Sequence, residues 1–445
     1  MITIQERVHG APNPEGWIVG KLHHALKVCK GNKNTGMREG NLLSLSYGRI
    51  IEKDIGTAEG LLPESFEKYQ IVNPGNIVMR LTDLQNDKRS LRQGLVKHRE
   101  IITSAYDALK VDKNHDPRFW AYALLALDHA KYYYSLGGGV RQSIKFSDFS
   151  NEWIAHPDLD AQKAIADFLD RETGRIDQLM ERKRRQVELL KEKRSALISH
   201  AVTCGLDPTA PMKPSGVEWL GEIPEHWVVK SACFDYEIQL GKMLQTEATS
   251  LFDQETQYLK AQHVQWESVK TKSLPSMWAS KFDLAKYGVL NGDLLVCEGG
   301  DVGRAGIVND LPNTAIIQNA LHRVRSRKAD LQYLMFLLEH AASQNWFEIL
   351  CNRSTIAHFT GEKFGALKIP FPPLAEQQAI ASFLDRETTR IDSLIEKVNL
   401  SMEKLKEFRS AIITAAVTGQ IDVTTWGKRG ETDRRLDTME KEITT

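Results

Sequence analysis

The hexapeptide FLDRET occurs twice in this chain, at Phe168–Thr173 and again at Phe383–Thr388. The repeat is much longer than six residues, because residues 160–207 align without a gap with residues 375–422 and more than half of the aligned positions are identical. A weaker Pro-Glu-x-Trp repeat begins at Pro14 and at Pro224. The chain is therefore two copies of one unit, each a variable segment followed by a nearly invariant one.

The repeated segment has the features of one long helix. Residues 160–206 contain no proline, Asp158 or Asp160 offers an N-terminal cap, and Gly419 follows the last turn of the second copy. The second copy has the heptad spacing of a coiled-coil seam at Ile391, Val398, Leu405 and Ile412, with Leu394 and Phe408 between. The first copy keeps Ile176, Leu190 and Leu197 and places Lys183 on the seam. A helix of about 45 residues would span roughly 67 Å and must pair to be stable.

The connector between the copies indicates how the helices pair. Residues 205–224 carry prolines that are typical of irregular chain, at Pro208, Pro211, Pro214 and Pro224. A parallel pair would stretch this connector of about 20 residues over roughly 66 Å, close to its maximum reach. The sequence therefore favours antiparallel helices within one chain, with an approximate two-fold axis and the variable segments at opposite ends. Pairing between two chains is the structural alternative.

The two variable segments are predicted to be α/β or α+β domains that share one fold. Strand candidates lie at residues 41–51, 71–81, 287–300 and 303–308, and apolar core helices at 117–134 and 329–347. Residues 73–77 resemble residues 289–294, which supports a common fold despite divergent sequence. The predicted architecture is thus two such domains joined by two long antiparallel coiled-coil helices.

Charge and cysteine content restrict the class of protein. The net charge is zero, which argues against a protein that coats DNA on its own. Basic residues nevertheless cluster with Asn and Gln at residues 80–99 and 318–328, and these side chains grip phosphates and read base edges. The 5 cysteines form no CxxC pair, and neither a signal peptide nor a membrane-spanning stretch is evident. We therefore expect a cytoplasmic protein without membrane contact or a thiolate metal site.

No catalytic signature is evident in the sequence. We find no phosphate-binding loop, no dinucleotide fingerprint, no HExxH motif and no adenine-methylase motif. Residues 157–163 superficially resemble a nuclease carboxylate pattern, but they lie at a predicted helix start and the pattern is lost in residues 372–378. Three classes remain open at this point: a non-catalytic DNA-recognition adapter, a nuclease, and a coiled-coil scaffold with protein-binding heads.

The motif L-x-E-Q-x-x-I-x-x-F-L-D-x-E-T-x-x-I-D at Leu374–Asp392 resembles the specificity subunit of type I restriction-modification systems. Residues 215–227, 292–308 and 76–96 are also similar to that family, and the resemblance covers Pro14 to Asp422. The first copy departs from the motif at Ala161, which replaces the acid. The resemblance implies that each variable segment is a target recognition domain for one half of a bipartite, asymmetric DNA site, and that the helices set the spacer.

The resemblance also implies the partners and cofactors. Two modification subunits would dock on the helices and bring S-adenosylmethionine and adenine-N6 methylation. Two restriction subunits would add translocation and cleavage driven by ATP with Mg²⁺. This chain would then hold no metal, no cofactor and no catalytic site, and would contact double-stranded DNA.

Residue type and loop position select candidate DNA contacts within this framework. In the first domain they are Ser44, Ser46, Tyr47, Arg80, Lys88, Arg89, Arg92 and Arg141. In the second domain they are Lys260, Gln262, His263, Arg304, Asn319, Arg323 and Arg353. Candidate partner-docking residues come from the duplicated motif: Asp170, Arg171, Glu172, Arg175, Asp177, Asp385, Arg386, Glu387, Arg390 and Asp392. Salt bridges within one helix, such as Glu172 with Arg175, are the alternative role for this charged set.

The predicted domain boundaries follow the repeat. They are residues 1–157 and 224–371 for the recognition domains, 158–206 and 372–420 for the long helices, 207–223 for the linker and 421–445 for the tail. The polar tail is compatible with disorder and with packing against the N-terminus. No simple code links these side chains to a particular target sequence.

Overall fold

The structure is a computed structural model that describes residues 2–46, 49–53, 65–84, 91–136, 143–351 and 358–444. The helices of the first variable segment in these ranges are α1 (Ile4–His9), α2 (Leu22–Ala25), α3 (Pro117–His129) and α4 (Tyr132–Leu136). The strands are β1 (Ile18–Lys21), β2 (Leu26–Val28), β3 (Leu42–Ser46), β4 (Arg49–Lys53), β5 (Gln70–Val72), β6 (Ile77–Met79), β7 (Gln93–Leu95), β8 (Glu100–Ile102), β9 (Asp107–Val111) and β10 (Trp153–His156).

A long helix, α5 (Leu159–Cys204), separates the first variable segment from the second. The strands that follow are β11 (Met212–Pro214), β12 (Glu222–Pro224), β13 (Val228–Ser231), β14 (Tyr236–Leu240), β15 (Gln254–Leu259), β16 (Glu267–Ser268), β17 (Ser276–Ala279), β18 (Leu294–Cys297), β19 (Ala305–Ile307), β20 (Ala315–Ile317), β21 (Leu321–Ser326) and β22 (Lys368–Phe371). The helices are α6 (Lys281–Tyr287), α7 (Leu331–Ser343), α8 (Trp346–Leu350), α9 (Gly361–Ala366) and the second long helix α10 (Leu374–Val417). Two helices form the C-terminal segment, α11 (Val423–Lys428) and α12 (Glu431–Thr444).

The two variable domains share one sheet topology. The first has a sheet in the order β2-β9-β6-β7, and the second has the matching order β14-β21-β18-β19 with β16 added at the edge. Each domain has another sheet in which one strand pairs antiparallel with one later strand and parallel with a second. These pairings are β3 with β4 and β8, and β15 with β17 and β20. The expectation of two α/β domains with one fold is therefore confirmed.

Capping residues and turn glycines account for the local structure at corresponding places. Asp116 and Asp330 occupy the N-cap positions of α3 and α7, and each side chain accepts backbone N–H bonds of the first turn. Gly75 and Gly292, with φ of 85° and 92°, make the turns before β6 and β18, a conformation that favours glycine. An aspartate N-cap and a turn glycine thus lie at corresponding places in both domains, although the surrounding sequences differ.

The Pro-Glu-x-Trp repeats connect each domain to the end of a long helix. Trp227 lies against Gly205 after α5, and Trp17 lies against Gly419 after α10. After each tryptophan a short strand pairs antiparallel with the strand that leads into the next long helix, β1 with β10 and β13 with β22. Glu376 accepts hydrogen bonds from His226 at 2.9 Å and from Trp227 Nε1 at 3.1 Å, whereas Ala161 at the corresponding position in the first copy has no acceptor to offer.

The chain divides into two compact units, residues 1–185 with 397–445, and residues 186–396. Within the first unit Asp177 pairs with Arg409 at 3.0 Å, and the earlier residue Arg171 lies beside Gly427, beyond the end of α10. Within the second unit Arg194 pairs with Asp392 at 3.3 Å, and Gly205 lies beside Glu376. In both units, residues later in α5 meet residues earlier in α10, so the paired helical segments run antiparallel.

The coiled-coil seam is largely as the heptads predict. Ile391, Val398, Leu405, Phe408 and Ile412 are buried on α10, and Ile176 is buried on α5. Leu394 is the exception, because its side chain is 44% exposed, so the prediction that it lies in the seam is wrong. Lys183 is half-buried and lies 3.7 Å from Glu440 of α12, which places the C-terminal segment beside α5.

Candidate nucleic-acid interface and docking surfaces

The predicted DNA contacts of the first domain are spread over strands and turns. Ser44 is half-buried on β3, and Arg80 is half-buried directly after β6. The backbone N–H of Arg80 donates to the carbonyl of Arg92 at 2.7 Å, so the two arginines lie on adjacent segments. Ser46 ends β3. The Ser46 side chain and all of Tyr47, Lys88, Arg89 and Arg141 lie outside what the structure describes.

Arg92 is fully buried, contrary to the expectation of a surface contact. Its guanidinium donates to the Tyr134 hydroxyl at 3.1 Å and to the Thr82 carbonyl at 3.2 Å, and its backbone N–H donates to Asp128 at 2.5 Å. The guanidinium also lies over the Tyr134 ring, 5.4 Å from its centroid. These contacts join the segment before β7 to α3 and α4. Solvent does not reach Arg92, which corrects its assignment to the DNA surface.

The second domain brings several predicted residues together at one edge. Lys260 and Asn319 follow the parallel strands β15 and β20, whose carboxyl ends meet at the same edge. Arg304 donates to the Ala261 carbonyl at 3.1 Å, which places it beside the exposed Gln262. Lys242 completes the group, since the Asn319 N–H donates to the Lys242 carbonyl at 2.9 Å. We call Lys242, Lys260, Gln262, Arg304 and Asn319 the second-domain edge.

Sequence reasoning missed Lys242 because it lies outside both basic clusters. Its ammonium pairs with Asp283 at 3.1 Å. The preceding Gly241 lies so close to the backbone of Gln318 that a Cβ there would be 2.3 Å from the carbonyl oxygen. A glycine inside a strand-like pattern is the signal that could have indicated this close backbone approach.

Two other predicted contacts of the second domain are buried. The ring of His263 accepts the backbone N–H of Lys260 at 3.1 Å, and burial lowers the pKa of His263, with nearby Lys260 and Lys270 acting in the same direction. Arg323 is 3% exposed and donates to the Gly288 carbonyl at 2.5 Å. Both side chains hold loops in place in this structure, which corrects their assignment to the surface. Arg353 lies outside the described residues.

In the first copy, the predicted docking residues contact other parts of their own unit. Asp170 accepts from Arg118 at 2.9 Å and from the Tyr122 hydroxyl at 2.8 Å, which ties α5 to α3. Glu172 is buried between two arginines, 2.7 Å from Arg171 and 3.2 Å from Arg175. Salt bridging within the helix, the alternative that the sequence left open, is therefore present.

The second copy repeats part of this arrangement. Asp385 accepts from Gln332 of α7 at 2.9 Å, and Arg386 pairs with Glu387 at 3.1 Å. Arg390 is exposed. Asp392 and its counterpart Asp177 instead pair with arginines of the opposite long helix. These two carboxylates thus contribute to helix pairing, and their predicted part in partner docking stays a prediction.

Within the described ranges, no group of three or more His, Cys, Asp or Glu side chains is arranged to hold a metal ion. None of the helices in that part of the chain has both the length and the apolar character that crossing a bilayer demands.

Comparisons with known proteins agree with this geometry. The family model for the type I restriction modification DNA specificity domain matches residues 102–189 and 239–404. The MjaVIII specificity subunit of Methanocaldococcus jannaschii is 26% identical over 437 residues, covering 94% of this chain and 96% of the relative. The EcoKI specificity subunit of Escherichia coli is 33% identical over 78 residues, or 18% of this chain and 17% of the relative.

Two solved structures share the fold at 14% sequence identity. One, from work on complex assembly and conformational transition of the type I R-M system, has a TM-score of 0.67 and covers 92% of this chain and 100% of that chain. The other is the HsdS subunit from Thermoanaerobacter tengcongensis, with a TM-score of 0.51, covering 94% of this chain and 100% of that chain.

Proposed function

Because this chain belongs to the family of type I restriction-modification DNA specificity subunits, we propose that each of its variable domains reads one half of a bipartite, asymmetric DNA site. The observation that carries the proposal is the second-domain edge, where backbone contacts bring Lys, Gln, Arg and Asn residues of neighbouring segments together at the ends of β15 and β20. These are the side chains that contact phosphates and base edges.

The shared topology of the two domains supports an asymmetric target. Within this common topology Lys260 and Asn319 follow β15 and β20 in one domain, whereas Ser44 lies on β3 and Arg80 follows β6 in the other. One scaffold with different side chains suits two different half-sites. The long helices would fix the spacer, with the half-sites about one helical turn, roughly 34 Å, apart.

The catalytic steps would belong to partner subunits. Two modification subunits would dock on the helices and supply S-adenosylmethionine-dependent methylation of adenine N6, and two restriction subunits would supply ATP- and Mg²⁺-dependent translocation and cleavage. The chain itself would act in the cytoplasm as a non-catalytic adapter. The lack of a phosphate-binding loop or a methylase motif in the sequence supports this division of roles.

Gel retardation with the co-encoded modification subunit separates this function from its alternatives. We expect sequence-selective retardation of genomic fragments only when this chain and the modification subunit are both present. A scaffold would retard no DNA selectively, and a nuclease would cleave DNA when the chain is incubated alone with Mg²⁺. Either result would refute the proposed function.

A further inference from the structure

A groove in the first domain is lined by four basic residues that lie outside both basic clusters of the sequence. It encloses about 560 Å³, and the four basic side chains are exposed. The one carboxylate in its lining, Asp107, accepts the backbone N–H of Phe146 at 2.7 Å. We call it the first-domain groove and define it by Lys30, Lys33, Arg38, Lys68, Ser104 and Tyr106.

The first-domain groove lies at the edge that corresponds to the second-domain edge. The residue after β2 donates its N–H to β9 at 2.8 Å, and the residue after β14 donates its N–H to β21 at 3.0 Å. Lys30 is two residues past the end of β2, as Lys242 is two residues past the end of β14. Ser104 lies between β8 and β9, as Asn319 lies between β20 and β21. The common topology thus places the groove where the second domain has Lys242 and Asn319.

Hydrogen bonds hold the segments of the first-domain groove together. The Asn34 N–H donates to the Tyr69 carbonyl at 2.9 Å, which joins the segment after β2 to the segment before β5. The side-chain amide of Gln70 donates to the Tyr106 carbonyl at 2.7 Å, which joins β5 to the turn before β9. The four basic residues of the groove therefore lie on two segments whose backbones are hydrogen-bonded to each other.

The basic residues of the groove are not neutralised by the part of the chain that the structure describes. None of the four forms an ion pair with a described residue, and the Arg38 guanidinium donates to the Lys33 carbonyl at 3.2 Å. At the second-domain edge, in contrast, Lys242 pairs with Asp283 at 3.1 Å and Arg304 pairs with a carboxylate at 2.8 Å. The first domain therefore has more positive charge available for an anion than the second domain has.

Several separate cations along one groove match an anion whose charges repeat. Duplex DNA has such a repeat, because its phosphates follow one another along each strand. Lysine ammonium groups bind phosphates as point charges, and serine and tyrosine hydroxyls are also common phosphate contacts. The chemistry of the first-domain groove thus suits the backbone of a duplex, and its place in the fold is that of the edge on which the proposed function depends.

We propose that the first-domain groove binds the sugar-phosphate backbone of one half-site, and that Lys30, Lys33 and Lys68 each neutralise a phosphate there. Binding of this half-site depends on charge more than binding of the other half-site does, because the second-domain edge uses two of its cations on its own carboxylates. The inference rests on the proposed function and adds to it the residues that hold the DNA backbone in the first domain.

The salt dependence of DNA binding tests this assignment. Fluorescence anisotropy measures the Kd of the full chain, assembled with the co-encoded modification subunit, for a duplex that carries the methylated motif, over a series of KCl concentrations. Each of Lys30→Gln, Lys33→Gln and Lys68→Gln should reduce the slope of log Kd against log salt by about 0.9, and the triple variant by about 2.7. Lys113→Gln is the matched control, because Lys113 is exposed beyond the opposite end of β9. A triple variant with the slope of this control would overturn the proposal.

Uncharged methylphosphonate linkages in the duplex locate the contact. They are placed in one half-site at a time. In one half they should weaken binding by the wild type about tenfold and leave binding by the triple variant nearly unchanged, because its lysines are already absent. In the other half they should weaken binding by both proteins alike. Equal weakening of both proteins by linkages in either half would contradict the assignment.

Two further measurements separate the possible outcomes. Urea unfolding should give the triple variant the midpoint of the wild type, since the substituted side chains are exposed, and the single variants provide the same readout if the triple variant is less stable. Native mass spectrometry should show that the triple variant still assembles with the modification subunit. Loss of assembly would identify a protein as the occupant of the groove and would overturn the proposal. A wild-type complex that selects no DNA sequence would instead refute the proposed function, on which this inference depends.

Discussion

The side-chain carbonyl of Gln377 accepts a hydrogen bond from the backbone N–H of Asp330 at 2.9 Å. The same side chain donates to the Pro372 carbonyl at 2.8 Å. In the other domain Gln162 makes the same two bonds, to Asp116 at 3.0 Å and to Pro157 at 2.8 Å. The glutamine of the repeated motif thus fastens the start of each domain's core helix to the start of the long helix that follows.

Gln377→Leu should therefore destabilise the second unit. The substitution leaves the Asp330 N–H and the Pro372 carbonyl without this partner, which costs about 1–3 kcal/mol for each buried group left unpaired. Urea unfolding measures the loss. Gln378→Leu is the matched control, because Gln378 is exposed on the same helix. Equal unfolding midpoints for the two variants would show that Gln377 does not fasten the helices.

Gly419→Ala should destabilise the first unit through a steric clash. Gly419 has a φ of 68°, and an added Cβ would lie 2.3 Å from Pro14 Cγ and 2.9 Å from the Trp17 ring. Backbone strain costs about 1–2 kcal/mol, and overpacking adds about 1–3 kcal/mol. Gly221→Ala controls for the strain, since Gly221 has a φ of 63° with open space around it. If thermal unfolding shows that Gly419→Ala and Gly221→Ala lose equal stability, the N-terminal segment does not pack against the end of α10 as described.

His129 should make stability depend on pH. Its Nδ1 lies 2.8 Å from the Ser410 hydroxyl, and burial, with Arg409, Lys131 and His9 adding to it, lowers the pKa of His129 from 6.5 to about 4. The unfolded chain takes up the proton near pH 6.5. The contribution of neutral His129 to the free energy of unfolding is therefore complete above that pH and falls as the pH drops toward 4. The full loss is about 3 kcal/mol.

His129→Gln should remove this part of the pH dependence. Urea unfolding of the wild type and the variant between pH 7 and pH 4 gives the comparison, with the exposed His98→Gln as control. The difference in unfolding free energy between wild type and His129→Gln should change by about 3 kcal/mol across this range. A constant difference would mean that His129 titrates alike in the folded and unfolded chain.

Gln262→Ala should weaken binding to one half-site without affecting the fold. Gln262 is exposed at the second-domain edge, so its loss should cost about 1–3 kcal/mol in sequence-specific binding if it contacts a base. Gln254, exposed at the opposite end of β15, provides the control Gln254→Ala. Fluorescence anisotropy of the assembled methylase on duplex DNA measures both. Equal affinity for the two variants would remove Gln262 from the interface.

The long helices and the common domain fold follow from local signals. Caps, heptads and the lack of proline mark α5 and α10, and the connector length indicates their antiparallel pairing. Leu394 departs from this pattern because a leucine can keep heptad spacing and still face outward, as its 44% exposure shows. The ion pairs of Asp177 with Arg409 and of Asp392 with Arg194 could not be predicted from local patterns, since the partners lie far away in sequence.

Burial limits what residue type alone can predict about the site. Arg92, His263 and Arg323 have side chains that suit DNA contact, but tertiary hydrogen bonds place them inside their domains. The sequence also left the tail undecided, although Leu436 and Met439 have helical spacing between charged residues. Packing of that segment on α5 requires the tertiary structure, because a 14-residue helix is marginal alone.

Mapping of N6-methyladenine across host DNA, with and without this gene, tests the central claim most directly. The account predicts that deletion abolishes methylation of one motif made of two different specified halves with an unspecified spacer between them, and that the wild-type gene restores it. An unchanged methylation pattern after deletion would contradict the claim. A lost motif that is continuous or made of two identical halves would contradict it as well.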